Sequence, residues 1–256
     1  MREPVSRQTA VQPLTIVAVH GNGGGASRFG RLHDHMPGNA RFQAITLPGF
    51  ADVPGDPSLR DLGDYARCVH RAAQASGPPC VVLGHGIGAS IVLELIQRDT
   101  TGIDAIILHA PVGARLSARW FPRLMSLPGA REAGRQLFAS RLARPLFKRL
   151  LFSQPVPDAI INRFFDEYRQ CRAFSQMFDL ITPAWFDTLR PVHLPAALLW
   201  GERERVLSLD QMQDYLALLP DCMTHTVPHW DHFPMLEQPG EYASTVVSLA
   251  QQLLKR

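Results

Sequence analysis

No apolar run in this chain exceeds the length of a strand. Runs such as 14–19 and 105–108 fall far short of the roughly 20 residues needed to cross a bilayer, so no membrane partner is expected. The opening MREPVSRQTAVQP lacks the apolar stretch of a secretory leader. Cysteine is scarce and scattered. Cys68, Cys80, Cys171 and Cys222 form no C-x-x-C and read as reduced structural thiols of a cytoplasmic protein. No basic run interleaves with aromatics, which excludes the usual signature of nucleic-acid binding. Repeats and low-complexity segments are absent, and no metal or cofactor is implied.

What is present suits a globular core. The chain has 256 residues, 46% hydrophobic and 19% charged, enough for one α/β domain or a domain with an insertion. Strand-like runs over 14–19, 42–47, 80–84, 105–109, 196–200 and 223–227 alternate with helix-like stretches over 27–36, 62–75, 88–97, 209–218 and 241–254. Alternation of this kind predicts a mostly parallel sheet with helices on both faces. Residues 1–110 and 191–256 would form this core. Residues 111–190 hold no convincing strand, only helical spacing cut by Pro122, Pro128, Pro145, Pro155, Pro157 and Pro183. This stretch reads as a helical cap with 12 of the 21 aromatics, some for packing and some available to line an apolar cleft. It also carries 13 Lys and Arg against 6 Asp and Glu. That excess either attracts anions or is a solvated helical surface.

The most informative motif is Gly84-His85-Gly86-Ile87-Gly88, between a β-branched run and a helical stretch. Strand, sharp turn and helix are the setting of the nucleophile elbow G-x-S-x-G, yet the central position is Gly86. Three further features stand at the ends of predicted strands: His20-Gly21-Asn22-Gly23-Gly24-Gly25, Leu47-Pro48-Gly49-Phe50, and Trp200-Gly201-Glu202-Arg203-Glu204. The segment His229-Trp230-Asp231-His232-Phe233 precedes the last helix. The glycine turn after His20 lacks the lysine and spacing of a phosphate-binding loop.

In this order and spacing the motifs resemble the α/β-hydrolase superfamily, in its capped branch, over nearly the whole chain. The family's leading antiparallel strands are expected to be missing, since only 13 residues precede the first clear strand. The resemblance implies an oxyanion hole from the N–H groups of Asn22 and Ile87 and a general base at His232, with His229 and His225 as alternatives. A metal cluster of His229, Asp231 and His232 is a further, less supported alternative. The acid of the pair falls on Glu204 where the family usually has aspartate, with Glu202 as near competitor. The substrate-facing set is read as His20, Gly21, Gly23, His85, Trp120, Phe121, Trp230 and Phe233.

Gly86 leaves the attacking side chain vacant. Glycine relieves the strain of the elbow and frees the space of a hydroxymethyl group beside His232. Ser90 and His85 are poor substitutes, one a helical turn deeper and the other turned sideways. Four readings stay open. In the first, a hydrolase acts on a small, largely apolar or aromatic ester, thioester or lactone, with His232 and Glu204 activating water. The second is a lyase, cyclase, isomerase or cofactor-free oxygenase without a covalent step. The third is a serine esterase in which serine was replaced by design. The fourth is a non-catalytic binding protein. The partner is a small molecule in the enzymatic readings, and the chain is a monomer or homodimer.

Overall fold

The computed structural model describes residues 13–256 except 126 and 128. Six parallel strands form one sheet in the order β2-β1-β3-β4-β5-β6. They are β1 (Leu14–Val19), β2 (Ala40–Ile45), β3 (Cys80–His85), β4 (Ala105–His109), β5 (Ala196–Gly201) and β6 (Met223–Val227). The residues of β1, β3, β4 and β5 are all buried. That burial explains their continuous apolar character, because helices cover both faces of a parallel sheet.

The core helices are α1 (Leu62–Ser76) and α2 (Ile87–Arg98) on one side of the insertion. On the other side come α9 (Met212–Leu216), α10 (Pro234–Glu237) and α11 (Pro239–Leu253). Helix α1 starts at a capping box. Asp64 N–H donates to Asp61 Oδ1 at 2.8 Å, and Asp61 N–H donates to Asp64 Oδ2 at 3.0 Å, satisfying two otherwise orphaned donors. Between β4 and β5 lie α3 (Trp120–Met125), α4 (Ala130–Ala139), α5 (Arg144–Leu151), α6 (Asp158–Gln170), α7 (Phe174–Leu180) and α8 (Pro183–Thr188). No strand interrupts them among the described residues.

Two of the differences from expectation lie beside β1. Strand β2 spans 40–45 rather than 42–47. Its only partner, β1, ends at Val19 opposite Ile45, so Leu47 has no ladder to join. The segment 27–36 is a 3-10 helix, Ala26–His35, not an α-helix. It is held by the buried side chains of Arg28, Phe29 and Leu32, and tertiary packing of this kind overrides local propensity in short segments.

The crossing of β1 and α2 leaves no room for a side chain at Gly88. A Cβ there would lie 2.5 Å from the Val19 carbonyl oxygen and 2.6 Å from that of His20. Gly88→Ala is therefore expected to cost on the order of 3 kcal/mol by overpacking. Gly30→Ala, with nothing within 4 Å of its Cβ, serves as the neutral control within about 0.5 kcal/mol. Urea unfolding of both variants checks this, and equal midpoints would refute it.

Candidate active site

The site lies at the carboxyl ends of the strands. Strand β3 runs into Gly86, whose φ of 56° and ψ of −119° are hard for a residue with a side chain to adopt. The turn is pinned by its backbone. Gly86 N–H donates to the His109 carbonyl at 3.0 Å, and the Gly86 carbonyl accepts from Ala89 N–H at 3.1 Å and Val112 N–H at 3.3 Å. A Cβ would fit beside it, since one placed on Gly86 would meet nothing nearer than Gly21 Cα, in ordinary contact at 3.6 Å. The elbow thus keeps its shape and its room without the side chain.

His232 sits in the loop between β6 and α10. Its Nδ1 lies 2.7 Å from Glu204 Oε2, and the carboxylate is fully buried while the imidazole is 10% exposed. The other carboxylate oxygen, Oε1, accepts from Val206 N–H at 2.7 Å and Leu207 N–H at 3.0 Å. The carboxylate therefore faces His232 with one oxygen and its own loop with the other. This placement distinguishes Glu204 from Glu202, which is exposed and accepts from the Thr226 hydroxyl at 3.0 Å. With Glu204 accepting at Nδ1, the Nε2 of His232 is left for substrate or water.

Two contacts hold the His232 backbone, and the sequence had not suggested them. Asp231 Oδ1 accepts from His232 N–H at 2.8 Å, and the buried Asp231 carboxylate is paired with Arg205. From the other side, His85 Nε2 donates to the His232 carbonyl at 3.0 Å. The rings of His85 and His232 lie 4.7 Å apart, and His109 stacks beyond His85 at 4.8 Å. Burial, reinforced by the neighbouring imidazoles, holds the His85 pKa well below the ordinary histidine value. His85 thus stays neutral, as donation to a carbonyl without added charge requires.

The expected residues divide in the structure. Gly21 stands beside the His85 ring, and Gly23 lies directly under the ring of Tyr168 from α6. Asn22 is fixed by its side chain, with Oδ1 accepting from Gly23 N–H at 3.0 Å and Nδ2 donating to the Phe174 carbonyl at 3.3 Å. Ile87 opens α2 as its first residue. Phe233 meets the His232 ring edge-on, with ring centroids 4.5 Å apart. His20 and Trp230 are taken up elsewhere. His20 is fully buried, with Nδ1 donating to the Gly21 carbonyl at 2.9 Å and Nε2 accepting from Leu47 N–H at 3.1 Å. It ties the ends of β1 and β2 together. Trp230 is 1% exposed and packs on Tyr242 at 5.3 Å inside the core. The side chains of Trp120 and Phe121 lie outside those the structure describes.

Of the other histidines weighed as base, His229 bonds Gln238 and Glu241 and so faces α11. His225 lies within β6. Ser90 donates to the Val112 carbonyl at 2.6 Å and is fully buried.

Aromatic side chains of the insertion pack against Phe233, next to His232. Phe164 meets Phe233 at 5.0 Å and Phe152 meets it at 5.5 Å. Arg28 clamps this cover to the core. It is buried, lies 3.7 Å over the Phe164 ring and pairs with the buried Glu167 at 3.6 Å. Phe164-Phe165-x2-Tyr168 has helical spacing, but spacing alone cannot say what a helix face covers. A cleft of about 720 Å³ between residues 51–54 and helices α4, α6 and α7 does not include Gly86, His232 or Glu204. The polar pair therefore lies outside that cleft, with His232 beside Phe233 and the aromatic cluster that Phe233 joins.

Comparison with known proteins agrees with this architecture. Residues 16–245 match the alpha/beta hydrolase family. The 2-hydroxy-6-oxo-6-(2'-aminophenyl)hexa-2,4-dienoic acid hydrolase of Metapseudomonas resinovorans is 21% identical, over 91% of this chain and 82% of its own. The pimeloyl-[acyl-carrier protein] methyl ester esterase of Nitrosospira multiformis is 24% identical, over 92% and 94% respectively. An esterase from Exiguobacterium antarcticum superposes with a TM-score of 0.76 at 13% identity, covering 94% of this chain and 92% of that one. The structural likeness speaks to fold, and the family match to descent. The chain belongs to the alpha/beta hydrolase family.

Proposed function

We propose that the chain hydrolyses a small, largely apolar or aromatic molecule with an ester, thioester or lactone bond, and that His232, oriented by Glu204, activates water at Gly86. The observation that carries this reading is the 2.7 Å bond between His232 and the buried Glu204, beside an elbow that keeps its φ of 56° without a nucleophile. Water in the space left at Gly86 gives its proton to His232 Nε2 and its oxygen attacks the carbonyl carbon. The charge that develops on the carbonyl oxygen faces the N–H groups of Asn22 and Ile87. Preorganised donors of this kind are worth roughly 3 kcal/mol each in the transition state. Collapse breaks the acyl bond, and the leaving oxygen or sulfur takes the proton back from the imidazolium. The apolar roof of Phe152, Phe164 and Phe233 supports the substrate class. So do the names of the two relatives, one acting on an aminophenyl-bearing acid and the other on a methyl ester.

A second reading has one observation in its favour. The same pair is nearly buried, at 10% and 0% side-chain exposure, beside the aromatic Phe233, a setting that suits proton abstraction from carbon because excluding water strengthens a base. It needs neither a nucleophile nor a hydrolytic water.

Side-by-side assays of the chain and of Gly86→Ser, on short and aromatic esters, separate the possibilities. Hydrolysis by the chain as it stands, with no acyl-enzyme, is expected. Gly86→Ser is expected to show a trappable acyl-enzyme burst and to lose about 1–3 kcal/mol of stability to backbone strain. An inert parent chain with an active serine variant would sink the water mechanism.

A further inference from the structure

The cap carries a surface that the chemistry at Gly86 does not use. All six of the large hydrophobic side chains exposed among the described residues, Leu124, Leu127, Leu137, Leu142, Leu146 and Leu150, fall within this one stretch of α3, α4 and α5 and the turns between them. Three of them repeat every fourth residue along α5 and the turn before it. Leu142 is 95% exposed, Leu146 60% and Leu150 51%. Four-residue spacing puts them in one stripe.

The inner side of α5 is already occupied. Phe147 stacks on Phe138 at 4.7 Å, Arg144 pairs with Asp166, and Lys148 pairs with Asp158 at 2.8 Å. The outer side has leucines and charge of one sign. Arg141 and Arg149 flank the stripe, both are exposed, and neither has an ion pair among the described residues. The insertion as a whole carries 13 Lys and Arg against 6 Asp and Glu.

We infer that the outer face of α5, with Leu142, Leu146 and Leu150 flanked by Arg141 and Arg149, docks peripherally on an anionic lipid surface. Apolar side chains seated at the acyl boundary and arginines at the headgroups are how an interfacial helix binds. Charge complementarity selects this occupant. A second copy of the chain would bring the same unpaired arginines against themselves, whereas an anionic bilayer neutralises them. The contact is peripheral, since no described helix is long and apolar enough to cross a membrane. The lack of a spanning run led to the expectation of no membrane partner, and this surface departs from that expectation because an interfacial helix face needs no such run. Docking here would hold the roof of the site against a phase in which apolar substrates concentrate.

Sedimentation of the full chain with phosphatidylcholine vesicles, with and without phosphatidylglycerol, tests this. Binding is expected only to the anionic vesicles and should weaken with salt. Arg141→Gln with Arg149→Gln should lower the partition coefficient by roughly 5-fold per arginine. Leu142→Ser with Leu146→Ser and Leu150→Ser should lower it by at least about 10-fold, with a circular dichroism spectrum that shows the fold intact, since all three side chains are more than half exposed. Lys255→Gln, an exposed cation at the end of the chain, is the control and should change nothing. Absence of binding to anionic vesicles would overturn the inference. So would a dimer in sedimentation velocity that the leucine variant alone dissolves, because the stripe would then belong to a second copy.

Discussion

His232→Ala is expected to lower kcat by roughly 10²–10⁴-fold, the share that a positioned general base contributes. Glu204→Gln is expected to fall in the same range. An amide that keeps its oxygen toward Val206 and Leu207 N–H must present its NH₂ to His232 Nδ1. That forces the proton onto Nε2, where a base needs a lone pair. The two losses should not add, because the residues act as a unit, so the double variant should be no slower than His232→Ala. KM should move far less than kcat, since neither group is read as holding the ground-state substrate. His232→Ala also leaves a buried carboxylate oxygen without a partner, at a cost of about 1–3 kcal/mol in stability. Measuring activity at a temperature well below each variant's midpoint separates the two effects. Wild-type turnover without His232 would remove the pair from the mechanism.

Acid should destabilise this protein earlier than carboxylate protonation alone would. Three histidines are fully or nearly fully buried around the strand ends. Burial holds the pKa of His20 down to about 4 and that of His109 down to about 3, and His85 is held low as well. In the unfolded chain each takes up a proton near pH 6.5. Below that pH the unfolded state binds more protons than the folded one, so stability falls as pH falls. The stabilisation is fully present above pH 6.5 and is lost progressively toward the folded-state values. At pH 5 the loss is roughly 2 kcal/mol for each of His20 and His109, a large part of the usual 5–15 kcal/mol. Urea unfolding at intervals from pH 7.5 to 5 checks this. His109→Phe should flatten the slope by about 1.4 kcal/mol per pH unit. A stability that does not change over that range would refute the assignment of these histidines as buried and neutral.

Much of this was legible in the sequence for reasons that can be named. The largely apolar runs over 14–19 and 105–108 fit buried parallel strands, whose two faces are both covered. The turn at 84–88 was recognisable as an elbow even without its serine. Its shape is set by the flanking glycines and by the change from strand to helix. His232 and Glu204 came together as the resemblance implied.

Other features were not legible. Glu202 and Glu204 are chemically alike and two residues apart, and only the path of the loop after β5 turned one to His232 and the other to Thr226. His20 and Trp230 look like site residues in a list of motifs, yet the core absorbed both. Arg205 and Asp231 are an ordinary pair of charges until the structure shows that they hold the His232 backbone. Tyr168 and Phe164 were visible as a helical stripe, with nothing local to say that they cover Gly23 and Phe233.

The division follows from the range of the forces. The sequence by itself determined the chain order of strands and helices and the elbow, because periodicity, backbone sterics and turn chemistry act over a few residues. Only the tertiary structure decided which carboxylate reaches the imidazole, which histidines are dry, and which leucines are left outside. Each of those depends on side chains brought together from distant parts of the chain, where burial and hydrogen-bond geometry are fixed by packing.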